Sequence, residues 1–210
     1  MKFKFSLPFL LLFFFSNTLF AQINEGKIVY KISYPGIDLP AEQKAMLPTE
    51  STCYFANNNS RTESDGFMGM KMVTLCVKEE VTMLMDVMGK KIAMHPKSEI
   101  EGVKTKEPQI TYSDEVKTIA GYTCKKAVLS FDNSTKMTVW CAEEIVGGGS
   151  WGGNFKGLKG APLEYSADVS NMSMTMTATK VSEEKVDKDK FKIPKGYEIM
   201  TPEQLQKQFK

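Results

Sequence analysis

Apolar and polar residues alternate one for one over most of this chain, and a period of two admits little besides half-buried β-strands. Ile28, Tyr30, Ile32 and Tyr34 fall on one side, with Lys27, Lys31 and Ser33 opposite. Residues 52–56 read as a strand, ended by the turn cluster Asn57-Asn58-Asn59-Ser60. Residues 66–78 read as a long strand, which Glu79-Glu80 turns into 81–88. Gly89-Lys90 suits a hairpin tip before 91–94. A polar stretch, 96–108, reads as a long loop. Strands resume at 109–112, 122–131 and 136–144, with Asp132-Asn133-Ser134 turning between the last two. Residues 163–169 and 172–181 make a final hairpin turning at Ser170-Asn171. A short helix fits within 38–48. Thr201, Pro202 and Gln204 carry the capping-box signature of a C-terminal helix. Nothing suggests βαβ units. The pattern predicts a mainly β protein: a curved antiparallel sheet or half-barrel with one or two small helices.

The first 21 residues are of another kind. Lys2 and Lys4 precede an apolar run over 5–15, then a polar break, then Leu19-Phe20-Ala21. That order is what signal peptidase reads, and the run is shorter than the roughly 18–20 residues of a membrane-spanning helix. The expectation is cleavage after Ala21 and one domain over 22–210, in the periplasm or outer envelope, with no transmembrane segment after processing. Without Lys2 and Lys4 the chain holds 25 basic and 25 acidic residues. A neutral chain without a basic block gives no electrostatic case for nucleic acid.

Export makes disulfides feasible for Cys53, Cys76, Cys124 and Cys141. Proximity in sequence favours Cys53–Cys76 and Cys124–Cys141, although four cysteines allow three connectivities. There is no Cys-x-x-Cys pair to suggest a thiol or metal site.

Beyond Ala21 the chain holds 13 Met and eight Leu, an inversion of ordinary usage. Met68, Met70 and Met72 sit at strand spacing, as do Met83 with Met85 and Met172 with Met174 and Met176. In one sheet these rows line one concave face. Three readings follow: an ordinary core in which Met fills gaps, an adaptable groove for a lipid or acylated ligand, or a Cu(I) site built on the Met172/Met174/Met176 row. Residues 147–160 are glycine-rich and carry Trp151 and Phe155, either as a mobile loop or as a lid over the groove. They lack the Gly-Lys-Ser/Thr of a phosphate cradle.

His95 is the single histidine, which excludes a multi-histidine metal site. No Gly-x-Ser-x-Gly elbow is present, and the carboxylates are scattered without a pair suited to acid–base work. No catalytic residue, metal or cofactor is expected, and an enzyme is the least supported class. An interaction module without a small ligand is the further alternative.

Residues 118–127 (TIAGYTCKKA) and 139–145 (VWCAEEI) resemble the central motifs of the GLPGLI-like exported proteins. Residues 157–163 (GLKGAPL) are similar to the segment that names that family, departing at Lys159 and Ala161, as in a sister group. Residues 191–197 (FKIPKGY) fit a related group. The resemblance implies a fold like that of the periplasmic lipoprotein carriers, whose curved sheet holds acyl chains, and hence a carrier or sensor. It carries over no catalytic residues.

Overall fold

A computed structural model of the chain describes residues 22–66, 70–87, 89–95, 107–131, 136–169, 172–201 and 204–205. The leader, the centre of the 96–108 loop and the tips at 132–134 and 170–171 lie outside them. Twelve strands are found among the described residues: β1 (Glu25–Ser33), β2 (Glu50–Ala56), β3 (Asn59–Asp65), β4 (Lys71–Val77), β5 (Glu80–Val87), β6 (Lys90–Met94), β7 (Gln109–Ile119), β8 (Tyr122–Ser130), β9 (Lys136–Ala142), β10 (Ala161–Val169), β11 (Met172–Glu183) and β12 (Glu198–Met200). They form one open, curved sheet in the order β12-β6-β5-β4-β3-β2-β1-β11-β10-β9-β8-β7. The mainly β half-barrel expected from the alternation is the observed architecture.

Tight turns set the registers. Asn57-Asn58, Lys78-Glu79 and Ala120-Gly121 each have two consecutive positive φ values. Each joins strands whose flanking residues pair directly: Ala56 with Asn59, Val77 with Glu80, Ile119 with Tyr122. Such loops match the twist of the strands they join. Among the described strands every pairing is antiparallel except β12 with β6, which run parallel; outside them an isolated parallel bridge joins Ile23 and Ile145. The short helix α1 (Ala41–Lys44) lies inside the expected segment. The capping box is formed: Thr201 N donates to Gln204 Oε1 (2.8 Å), and Gln204 N donates to Thr201 Oγ1 (3.2 Å). No helix among the described residues is long and apolar enough to cross a membrane.

The sheet curls until β7 approaches β11 across its inner face. The main core lies inside that curl, formed by Ile28 and Tyr30 of β1, Phe55 of β2, Leu129, Val139 and Leu163 of β8–β10, and Met176 and Ala178 of β11. A second, small cluster of Val73, Leu75, Leu84 and Ala93 lies on the opposite face of β4–β6, with Tyr197 packed against it.

Candidate functional site

Cross-strand register places the inner-face residues in three rows. One runs Gly26, Phe55, Ser60, Cys76, Val81; the next Ile28, Cys53, Thr62, Thr74, Met83, Met94; the third Tyr30, Ser51, Ser64, Met72, Met85, Ile92. Because direct partners share a face, Met72, Met83, Met85 and Met94 lie on the same inner surface as the main core.

The two ends of this surface differ. Over β1, β2 and β8–β11 it is filled by the chain itself. The glycine-rich segment folds inward as a string of tight turns, and Trp151, Phe155 and Leu158 are only 6, 5 and 8% exposed. The Trp151 ring lies 5.3 Å from Phe55 and that of Phe155 4.8 Å from Tyr165, centroid to centroid. Ser150 Oγ is 2.7 Å from Cys76 Sγ, and Lys156 bridges Glu79 (3.2 Å) and Glu107 (2.8 Å). The segment is thus a built-in plug, neither a loose loop nor a lid resting on the rim. Gly160, at φ +88°, shows how closely it is seated: a Cβ there would stand 2.0 Å from the Ala142 carbonyl oxygen.

Over β3–β6 the inner face is less completely covered, although Ile92, the direct partner of Met85, is fully buried. Thr62, Ser64, Met72, Thr74, Val81, Met83, Met85 and Met94 are all partly exposed. They form a trough with a thioether floor and hydroxyls toward the core. Of the expected methionines, Met72, Met83 and Met85 meet here, joined by Met94, which its sequence neighbours did not mark. Met70 precedes β4 and is half-buried. Met68 lies outside the described residues, as does the side chain of Met172. Met174 and Met176 belong to the filled end, where Tyr165 donates its hydroxyl to Met176 Sδ at 2.9 Å. Trp151 sits in the plug rather than at a groove mouth.

The expected disulfides are not formed: all four cysteines are free and buried. For Cys53 and Cys76 the topology supplies the reason. β3 runs between β2 and β4, so the two Cα atoms are at least about 9 Å apart, beyond the span of a bridge. Cys124 and Cys141 lie on adjacent strands but are offset by one residue, Cys141 pairing with Lys125. Burial pushes the thiols of Cys53 and Cys141 up to about 11 and that of Cys124 up to about 12.

A polar cleft of about 580 Å³ lies at the strand ends beside Pro194 and Tyr197. Its floor carries Arg61, whose Nε donates to Glu63 Oε1 at 2.5 Å and whose Nη1 donates to the Lys190 carbonyl at 3.1 Å. Burial raises the Glu63 carboxyl, but Arg61 and Lys190 outweigh it and hold it below the ordinary range. His95 Nδ1 lies 3.4 Å from Thr82 Oγ1 and from the Val81 carbonyl. Among the described residues no group of three His, Cys, Asp or Glu could hold a metal.

No family model matches the chain, and no curated protein matches it. Among solved structures it is similar to PNGF-II in the P21 crystal form, with a TM-score of 0.57 and 19% identity over 89% of this chain. The C2 form gives 0.54 and 20% over 90%. The chain spans about a third of the length of PNGF-II (33 and 32%), and the likeness is one of fold. The LolA superfamily protein NE2245 from Nitrosomonas europaea superposes with a TM-score of 0.38 and 11% identity, over 81% of this chain and 91% of that one.

Proposed function

We propose that this is an exported envelope protein of the GLPGLI-like kind that binds a hydrophobic, lipid-like ligand in the trough over β3–β6. The observation that carries the reading is the contrast between the two ends of one surface. One end is packed by Trp151, Phe155 and Leu158; the other leaves four methionines partly exposed. Covering an apolar side chain of this size stabilises by roughly 1.5–3 kcal/mol when burial is complete. An acyl chain laid along Met72, Met85, Met83 and Met94 completes a burial that the protein leaves unfinished. Methionine suits this role because its unbranched, polarisable side chain adapts to chains of varied shape. In this reading the hydroxyls of Ser64 and Thr74, on the same face, donate to a carbonyl or ester oxygen of the ligand. A bound chain lies beside the plug and does not displace it.

Native mass spectrometry of the mature protein purified from its own envelope tests this. A co-purifying adduct of lipid mass, removed by organic extraction, is the expected result. A bare mass from the envelope, together with no uptake of a fluorescent fatty acid by the purified protein, contradicts it.

A further inference from the structure

We infer that Met72, Met83, Met85 and Met94 form a binding site for a soft monovalent cation, Cu(I). The inference does not need a lipid in the trough. It rests on register: Met72 is the direct partner of Met85, and Met83 the direct partner of Met94, across three adjacent strands and on one face. Direct partners have Cβ atoms about 4.5–5.5 Å apart, and diagonal ones about 7–8 Å, within reach of long side chains. Met83 is diagonal to Met72, and Met85 to Met94. Each central methionine therefore has one direct thioether partner, one diagonal partner and its own strand neighbour, so three sulfurs can close around one ion. The inner-face neighbours at this end, Ser64, Thr74 and Ile92, are uncharged. Of the carboxylates that share the polar cleft with Met72, those of Glu63, Asp65 and Asp86 belong by register to the opposite face, and neutral thioethers select a soft ion such as Cu(I). Their partial exposure gives the ion a way in.

The Met172/Met174/Met176 row, whose Met-x-Met-x-Met spacing raises the copper reading in the sequence, lacks these properties. Its direct partners on β10 are Val169, Ala167 and Tyr165, so no methionine faces it there. Met176 is buried, and its sulfur already accepts the Tyr165 hydroxyl.

The test is anaerobic titration of the mature protein with Cu(I), supplied as its acetonitrile complex, against bicinchoninate as competitor. The expected result is one equivalent held. M83L and M85L, which keep the trough apolar, should each weaken binding about tenfold or more, the scale on which a metal site responds to loss of a supporting group. The M174L/M176L double variant should leave it unchanged. X-ray absorption of the loaded protein should show sulfur neighbours at thioether distance. Failure to hold Cu(I) against the competitor overturns the inference, as does binding that survives M83L and M85L together. Fluorescent fatty-acid uptake by the unaltered protein in copper-free, chelator-treated buffer reads the lipid proposal alone, and the Cu(I) titration of lipid-extracted protein reads the copper site alone. The two proposals thus fail separately.

Discussion

Trp151 and Phe55, 96 positions apart in the chain, meet with ring centroids 5.3 Å apart on the inner face of the sheet. That contact decides which part of the concavity belongs to the core. On the Trp151 side the protein has filled its own groove; beyond the Cys76–Val81 end of β4 and β5, the plug stops and the methionine trough begins.

The first prediction concerns the plug. Replacing Trp151 with Ala removes a buried aromatic side chain and should cost about 3–5 kcal/mol in urea unfolding. A lid would respond differently, with stability nearly unchanged and ligand exchange accelerated.

The seating of the plug is tested by two glycines of the same backbone conformation. Gly121 and Gly160 both have φ +88°, but a Cβ on Gly121 meets nothing within 4 Å. Gly121→Ala should therefore cost only the left-handed strain, about 1–2 kcal/mol. Gly160→Ala should lose clearly more, because the Ala142 carbonyl must move. Equal denaturation midpoints for the two variants would refute close seating.

The thiols give a third prediction. Cys53, Cys124 and Cys141 are buried and their pKa values lie well above 9, so little thiolate exists at pH 8. Native protein should resist iodoacetamide. Unfolded protein, without reductant, should yield four reactive thiols. Recovery of two would show that one pair is bridged, and peptide mapping would identify it.

Glu63 makes stability depend on acid. Its folded pKa lies below its unfolded one, so its ion pairs contribute fully above the unfolded value, near 4.3. That contribution is lost as pH falls through the folded value. Glu63→Gln should be less stable than the parent at pH 7, and the gap should close towards pH 3. A gap independent of pH would assign the cost to packing instead.

The fold was legible because alternation survives in nearly every strand, yet three elements hid. β3, Asn59-Ser60-Arg61-Thr62-Glu63-Ser64-Asp65, has no apolar residue; its neighbours on both sides make it a strand. β7 continues beyond Tyr112 to Ile119, through a register irregularity between Tyr112 and Val116 that breaks the alternation. β12 is three residues long and pairs in parallel. The site was half legible. Strand spacing marked Met72, Met83 and Met85, but Met94 joins them only through the hairpin register. Glycine content announced a loop at 147–160, but composition does not reveal that Trp151 and Phe155 turn inward. The Cys53–Cys76 pairing failed because sequence proximity was taken for strand adjacency, and the unrecognised β3 lies between them.

The central claim is that the trough over β3–β6, and not the plugged end, receives an apolar ligand. Methyl NMR of protein labelled at the methionine ε-carbons, titrated with a medium-chain fatty acid, reads both ends at once. The account predicts shifts at Met72, Met83, Met85 and Met94, with Met176 unmoved. Shifts centred on Met176, or none at saturating fatty acid, would contradict it.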